Sequence, residues 1–377
     1  MLKPESMSPA SSSLGSRAWA ALRRSVADLR ARLPAILTAL AVGIPAGYLC
    51  DSLDLPIPWM IGPMVAIAAL NLLGVSMDSP PYARQMGQVV LGSGISLYFT
   101  PPVVVALAAN WLPIILSTLA TFLIGALGAV ILSRVSGVET RSTFFASIPG
   151  GAMAMANLAH RYGAQIAPVA VAHSLRVSIL VLVIPFALTY GGIPLETGDY
   201  RPTVPLDVGV LLPWLLAGFV LGETSERLHI HNGYLLMPIF FGAAFTVSEV
   251  PLSAVPQWMT NFAQLMFGLV LGARYERAFF MRYKLFIPFA LLNSFFVLAA
   301  SVVLAAALSW GFHLPIATMI ISTSPGGLAE MAITAQALGI GVPAVIAFHL
   351  ARIVVVNMGT QHIYVGATRW LPRLGRR

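Results

Sequence analysis

Long apolar segments alternate with short polar connections from about residue 33 to residue 366. Each segment is close to the roughly 17–25 residues that an α-helix needs to cross a bilayer. The pattern predicts about 10 transmembrane helices, within a range of 10–12. They lie at 33–50, 57–76, 85–100, 104–133, 165–190, 209–225, 233–249, 257–273, 285–311 and 342–366.

Two further apolar segments, 142–162 and 317–338, are interrupted by Pro149-Gly150-Gly151 and Pro325-Gly326-Gly327. Such a sequence cannot continue a regular helix, and in a membrane the freed backbone groups are tolerated only where protein or water satisfies them. Breaks at matching points of two halves indicate a transporter-like central site.

The two halves of the chain match each other at an offset of 176 residues, with the Pro-Gly-Gly sequences superimposed. Apolar composition alone would not align rare polar residues in order, so the match indicates an internal duplication. The other matched pairs are Gln88 with Gln264, Gly92 with Gly268, Met155 with Met331, His173 with His349, and Arg176 with Arg352.

The distribution of Lys and Arg predicts how the halves are oriented. If both Pro-Gly-Gly segments enter and leave on one side, all 22 Lys and Arg are cytoplasmic except Arg176, Arg201 and Arg352, as the positive-inside rule favours. This arrangement gives an all-α polytopic membrane protein made of two inverted five-helix repeats, each with an additional re-entrant segment. The alternative is a broken helix that crosses fully and places the basic run 274–284 outside.

The predicted organisation has five parts. They are a cytoplasmic basic tail at 1–32, a first membrane repeat at 33–192, an external linker at 193–208, a second membrane repeat at 209–366 and a cytoplasmic basic tail at 367–377.

Composition supports a membrane protein. The 377 residues are 58% hydrophobic and only 10% charged, and the mean hydropathy is +0.83, whereas soluble domains have about a quarter charged residues. The net charge is +8, and the basic residues lie in short loops and tails, as orientation signals of membrane proteins do. We therefore expect no direct contact with nucleic acid. We expect a multi-pass protein of the bacterial inner (cytoplasmic) membrane, with both termini cytoplasmic.

Ionisable residues at membrane depth are few, and each is expected to face the protein interior. His173 and Arg176, like His349 and Arg352, are three residues apart and share a helix face. Glu330 is the only acidic residue well inside an apolar stretch, and Ala154 occupies its place in the first half.

These residues and the breaks predict a pocket for a small anionic or zwitterionic solute, coupled to protons or sodium. Glu330 or a histidine could carry the coupling proton. The predicted substrate-binding residues are Ser147, Pro149, Gly150, Gly151, His173, Arg176, Ser324, Pro325, Gly326, Gly327, Glu330, His349 and Arg352.

The alternative interpretation is purely structural. In it, Arg176 and Arg352 satisfy carbonyls freed by the breaks, and Glu330 neutralises one of them. The spacing of histidines, carboxylates and the single Cys50 supplies no metal-ligand set or nucleotide motif, so we expect no catalytic residue, metal or cofactor.

The doubled Pro-Gly-Gly-x-x-x-Met with a spaced arginine resembles the AbrB duplication family of integral membrane proteins, which is unrelated to the soluble DNA-binding regulator of that name. The best match is Ser324-Pro325-Gly326-Gly327-Leu328-Ala329-Glu330-Met331. An acidic residue before the methionine is common in the family, and Ala154 departs from it. Members have been labelled membrane regulators of gene expression or ammonia monooxygenases.

Three functions therefore compete. A secondary transporter accounts for the duplication, the breaks and the buried charges together. A membrane-embedded regulator would act through a soluble partner, and a monooxygenase would need metal or flavin ligands that the sequence does not provide. The expected partners are the lipid bilayer and a small-molecule solute, and the apolar exterior fits either a monomer or a homodimer.

Overall fold

A computed structural model describes residues 12–195, 204–228, 230 and 232–370, with side chains described between residues 27 and 365. The described ranges are mostly helical and contain no β-strand, which confirms the all-α prediction. The helices are α1 (Ser12–Ser52), α2 (Pro58–Leu73), α3 (Ala83–Ser96), α4 (Pro101–Ala109), α5 (Trp111–Val135), α6 (Thr140–Ser147), α7 (Ala152–Arg161), α8 (Ile166–Tyr190), α9 (Val208–Arg227), α10 (Gly233–Val247), α11 (Gln257–Ala273), α12 (Arg277–Arg282), α13 (Ile287–Phe312), α14 (Ile316–Thr323), α15 (Leu328–Leu338) and α16 (Val342–Trp370).

Six described helices are long and apolar enough to cross a membrane: α1 from Ala27 onward, α5, α8, α9, α13 and α16. The pair α3 and α4, bent by 93°, raises the number to seven if it is one span. The helices α2 and α10 have 16 and 15 residues, slightly fewer than a full crossing needs. The protein is a multi-pass membrane protein, and the count of ten stays a prediction.

The predicted segment 104–133 is two helices rather than one. Asn110 separates α4 from α5, and its side-chain amide donates to the Ala106 carbonyl at 2.8 Å. Local hydrogen bonding by asparagine competes with helix continuation, which explains the break.

Three predicted parts of the chain lie partly outside the described residues. The tail 1–32 is helical from Ser12 and continues without interruption into the first apolar segment. Residues 196–203 of the predicted linker 193–208 are outside the description, as are residues 371–377 of the tail 367–377.

Each Pro-Gly-Gly segment is a pair of short helices, α6 with α7 and α14 with α15. A β-carbon built on Gly150 would lie 2.6 Å from Met155, and one built on Gly326 would lie 2.8 Å from Met331. Both methionine side chains are fully buried. The spacing Pro-Gly-Gly-x-x-x-Met therefore has a packing reason, because the methionine fills the space beside the first glycine.

The two halves pack against each other through equivalent helices. The helix α2 packs against α11, and α10 packs against α3. A β-carbon on Gly92 would lie 2.6 Å from the Leu235 carbonyl, and one on Gly268 would lie 2.6 Å from the Met60 carbonyl. Because the same contact recurs at matched positions, the duplication extends from sequence to packing.

Within each half, the first two helices also approach closely, at the small-residue positions that favour such packing. Gly47 of α1 faces the Trp59 ring, and Gly222 of α9 faces the Tyr234 ring, with β-carbon separations of 2.8 and 2.6 Å.

The helices α8 and α16 support the two breaks. In α8, 67% of an 18-residue apolar stretch is buried inside the protein, compared with 22% in α1. The pair α6 and α7 contacts α8, and α14 and α15 contact α16. Each break therefore lies against the helix that carries the His-x-x-Arg sequence of its own half.

Candidate functional site

In the first half, His173 and Arg176 bind the carbonyls at the end of α6. His173 Nε2 lies 3.0 Å from the Phe145 carbonyl oxygen, and Arg176 Nη2 lies 2.9 Å from His173 Nδ1. Arg176 also donates to the carbonyls of Ser147 at 2.9 Å and Ile148 at 3.4 Å. Because a guanidinium only donates, His173 Nδ1 accepts and its Nε2 carries the proton.

The second half repeats this arrangement. His349 Nε2 lies 3.0 Å from the Ile321 carbonyl oxygen, and Arg352 Nη2 donates to His349 Nδ1 at 2.7 Å. Arg352 donates further to the carbonyls of Ser324 at 2.5 Å and Gly326 at 2.6 Å. The spacing of three residues places each histidine and arginine together on the break, as expected.

Both arginines satisfy freed carbonyls, as the structural interpretation expected, but neither is paired with a carboxylate. Ion pairs among the described residues join Arg32 to Asp28 and Asp78, and Arg227 to Glu223, and none of these pairs includes Arg176 or Arg352. The Nε atoms of Arg176 and Arg352 are buried and have no hydrogen-bond partner within the described part of the chain. A buried charge without a counter-charge is costly. An anionic ligand that paired with either arginine would offset this cost.

The two breaks meet at one cavity of about 510 Å³. Most of the predicted site residues line it, and they come from both halves. Those residues are Pro149, Gly150, Gly151, His173, Arg176, Pro325, Gly326, Gly327, Glu330 and Arg352. Arg176 and Arg352 lie within range of each other's charge.

The other three predicted residues, Ser147, Ser324 and His349, are fully buried and are not part of the cavity wall. The Ser147 hydroxyl accepts from Asn293 Nδ2 at 3.1 Å, and the Ser324 hydroxyl donates to the Ile320 carbonyl. Their polar atoms form hydrogen bonds within the protein, so these residues stabilise the breaks rather than face the cavity.

The last glycine of each break differs in what lies over it. A β-carbon on Gly327 would lie 2.0 Å from Glu330 Oε2, whereas one on Gly151 would meet only the Ala154 β-carbon at 3.9 Å. Glu330 is 4% exposed. Its carboxylate lies beside Gly327, the N-cap residue of α15, and an acidic group is favourable near the start of a helix.

The helices α7 and α15 begin at the cavity with glycine N-caps. Neither N-cap has a side-chain hydrogen bond to the first turn, and residues 151–154 and 327–330 all line the cavity. The first backbone N–H groups of a helix have no intrahelical acceptor and favour negative charge. Two positive helix ends therefore face the same space.

Sequence reasoning missed several polar residues of the cavity, which come from α3, the last turns of α9, the residue after α11 and the middle of α16. They are Arg84, Gln88, Glu223, Glu226, Arg274 and Asn357. Arg84 lies one helical turn before Gln88, and this spacing was a usable signal. The other residues come together only through tertiary packing.

Arg274 lies just beyond the end of α11, next to the charges of the cavity. Its pKa is lowered, first by burial and then by the Arg84 guanidinium, whereas the Glu330 carboxylate raises it. Glu223 accepts from Tyr234 and pairs with Arg227 at 2.9 Å. Two glutamates of the cavity wall, Glu226 and Glu330, have no ion pair among the described residues, whereas four arginines line the wall. The cavity therefore favours an anion.

Across the described residues, no three His, Cys, Asp or Glu side chains are grouped so that they could hold a metal ion.

Comparison with known proteins gives the family. A family model described as "Transition state regulatory protein AbrB" matches residues 59–365. An Escherichia coli (strain K12) protein named "Putative regulator AbrB" is 29% identical over 335 residues, covering 84% of this chain and 91% of that protein. "Uncharacterized protein YhjN" of Bacillus subtilis (strain 168) is 24% identical over 355 residues, covering 84% and 89%. The matched region contains both breaks and both His-x-x-Arg sequences, and this chain belongs to the AbrB family.

Proposed function

We propose that the protein is a secondary transporter of a small anionic or zwitterionic solute, which binds where the two Pro-Gly-Gly breaks meet. The observation that carries this proposal is the cavity of about 510 Å³, because both breaks, Arg176 and Arg352 line it together. Two halves that contribute equivalent elements to one central site are typical of transporters with internal repeats.

The charges of the cavity support an anionic group on the solute. The two arginines lack a carboxylate partner within the described residues, and the positive ends of α7 and α15 face the same space. A carboxylate or phosphate would supply the missing counter-charge and accept from the backbone N–H groups.

We place the protein in the bacterial inner membrane with both termini cytoplasmic, and the two five-helix repeats in opposite orientations with re-entrant breaks. On this topology, the cavity walls formed by Arg84, Glu226 and Arg274 lie at the cytoplasmic end. The cavity would then be the inward-facing site, and alternating access would require a second state open to the other side.

Proton coupling would fall to Glu330 rather than to a histidine. Each histidine is held as the Nε2–H tautomer, because His173 Nδ1 and His349 Nδ1 accept from an arginine. Protonation at Nδ1 would place a histidine N–H group opposite the arginine N–H donor, and neither could accept a hydrogen bond. Glu330 has no ion pair among the described residues and is free of that conflict.

Proteoliposomes test the transport proposal. Radiolabelled acetate, succinate, glycine and phosphate would be offered under an imposed proton or sodium gradient. We expect gradient-driven accumulation of at least one solute, loss of accumulation in Arg352→Ala, and loss of proton dependence in Glu330→Gln. Arg134→Ala is the matched control, because Arg134 is exposed on α5 and does not line the cavity.

The second candidate is a membrane-embedded regulator that binds the solute and acts through a soluble partner. The specific observation in its favour is the name "Putative regulator AbrB" of the E. coli relative, which describes that protein. The same experiment separates the two functions, since tight solute binding without flux in transport-competent liposomes would favour the regulator and exclude transport.

A further inference from the structure

The arginines of the cavity are of two kinds, which differ in what their guanidinium groups contact. Arg176 and Arg352 are equivalent residues of the two halves, and each donates to carbonyls of its break and to a histidine. Arg84 and Arg274 line the same cavity, but neither side chain forms a hydrogen bond or an ion pair among the described residues. The second pair therefore has its donors available for a ligand.

Arg84 and Arg274 belong to helices that pack together, so that two like charges lie near each other. Arg84 is in the first turn of α3, Arg274 is the C-cap residue of α11, and α11 packs against α3. Both side chains are partly buried, and the Arg84 guanidinium acts electrostatically on Arg274. Their repulsion in a partly desolvated space costs free energy, which an anion bound by both groups would offset.

A buried amide on the same face of α3 also lacks a partner. Gln88 comes one helical turn after Arg84, so the two side chains lie on one side of the helix. Gln88 is 3% exposed and lines the cavity, and its side chain makes no hydrogen bond among the described residues. Buried polar side chains normally have hydrogen-bond partners. This amide is therefore a second, independent indication of a ligand next to α3.

The duplication also separates the two kinds of arginine. At the offset of 176 residues, Arg84 matches Thr260 and Arg274 matches Tyr98, so neither arginine has a charged counterpart. The repeated arginines hold breaks that both halves share. A charged group present in one half only is not needed by the repeated fold, and this favours a role in binding over a structural role.

Glu330 limits the charge that a ligand can carry at this place. The helix α15, which contains Glu330, also packs against α3, and the Glu330 carboxylate acts electrostatically on Arg274. Glu330 is 4% exposed, lines the cavity and forms no ion pair among the described residues. Because screening is weak in a buried site, a second negative charge on the ligand would be repelled by this carboxylate.

We propose that Arg84, Arg274 and Gln88 bind the carboxylate of the solute, and that Glu330 selects a solute with a single carboxylate over one with two. Arg176 and Arg352 then hold the breaks, while the unrepeated arginines hold the ligand. This inference rests on the proposed function, because it assigns the anionic end of the solute within the same cavity.

The first test removes the two free guanidinium groups. Isothermal titration of the full-length, detergent-purified protein would use sodium acetate and glycine, which have one carboxylate, and sodium succinate, which has two. We expect Arg84→Gln and Arg274→Gln each to raise the Kd of acetate by at least about tenfold, because each removes a charged donor to the same carboxylate. Arg134→Gln, at an exposed position outside the cavity, should leave this Kd within about twofold.

The double variant Arg84→Gln with Arg274→Gln tests whether one carboxylate contacts both groups. Its effect on the Kd should be clearly smaller than the product of the two single effects, because residues that share a partner are not additive. Gln88→Met keeps the side-chain volume and removes an unpartnered buried amide, so it should fold at least as well as the unmodified protein. We expect it to raise the Kd of acetate about threefold or more, which decides the matter if an arginine variant does not fold.

Thermal unfolding distinguishes binding from a structural role. Since neither guanidinium has a partner among the described residues, the midpoints of Arg84→Gln and Arg274→Gln without solute should not fall below that of the unmodified protein. Acetate should raise the midpoint of the unmodified protein and not that of the variants. Lower midpoints with unchanged acetate affinity would assign both arginines to the fold.

The second test concerns the charge of the solute. The unmodified protein should bind acetate or glycine more tightly than succinate. We expect Glu330→Gln to improve the affinity for succinate relative to acetate by at least about tenfold, because the repelling carboxylate is gone. Glu276→Gln, at an exposed position that does not line the cavity, should leave the ratio unchanged.

Four results would overturn the assignment. They are no binding of any probe to the unmodified protein, unchanged acetate affinity in the arginine variants, fully additive effects in the double variant, and an unchanged succinate-to-acetate ratio in Glu330→Gln. Binding that follows the expected pattern without any flux in proteoliposomes would keep this site and refute only transport. Flux that persists unchanged in both arginine variants would keep transport and refute this site.

Discussion

At the scale of single residues, the two breaks differ most at their last glycine. Gly327 and Gly151 both have φ values that alanine adopts without strain, −73° and −63°. Only Gly327 is covered by a carboxylate, so the same small substitution has different consequences in the two halves.

We therefore expect Gly327→Ala to displace the Glu330 carboxylate, because the new methyl group would lie 2.0 Å from Oε2. Gly151→Ala meets open space and should be neutral or stabilise by about 0.4–1 kcal/mol through the unfolded chain. Acetate titration and thermal unfolding of both variants would check this. The Gly327→Ala effect on affinity should vanish in a Glu330→Ala background, and persistence there would show that it does not act through the carboxylate.

At the scale of secondary-structure elements, the breaks depend on the arginine of the neighbouring helix. Arg352 donates to the Ser324 and Gly326 carbonyls and to His349, so one planar group joins the end of α14 and the middle of the break to α16. Lysine has the charge but lacks the rigid fork that reaches several acceptors at once.

We expect Arg352→Lys and Arg176→Lys each to destabilise the protein by about 1–3 kcal/mol, because at least one buried carbonyl loses its donor. Thermal unfolding in detergent would show a lower midpoint for both variants. Arg134→Lys, at an exposed position of α5, should not change the midpoint. Equal behaviour of all three variants would mean that the breaks hold without the guanidinium bridge.

At the scale of the whole molecule, the proposed orientation of the two halves predicts which loops face the cytoplasm. Single cysteines at Arg161 and Ala337, both exposed, would be labelled with a membrane-impermeant maleimide in a Cys50→Ala background. Inverted re-entrant breaks predict labelling from opposite sides, with Arg161→Cys on the same side as a cytoplasmic reference, Arg282→Cys. Labelling of both positions from one side would contradict the inverted arrangement and favour broken helices that cross the membrane fully.

Much of the architecture could be predicted because it depends on local sequence. Proline and two glycines interrupt a helix wherever they occur, and a spacing of three residues keeps His173 beside Arg176 in any helix. The family resemblance and the all-α class follow from such features. The family comparison confirms the first, and the structure confirms the second.

The remainder depends on tertiary packing, which no local pattern encodes. The hydroxyl groups of Ser147 and Ser324 are directed into the protein rather than into the cavity. Arg84 and Arg274 read as topology signals in polar connections, yet helix packing places them on the cavity wall. Helix lengths near the spanning limit, as in α2 and α10, could not be set from hydropathy.

The exchanged packing of α2 on α11 and of α10 on α3 has a consequence for biogenesis. While the ribosome is still making the second half, Gly92 and the surrounding surface of α3 have no partner, because that partner is α10. The first half therefore stays incompletely packed in the bilayer until the second half has been synthesised. A chain truncated at the linker would present this uncovered surface to membrane proteases, whereas two separately encoded halves could complete each other.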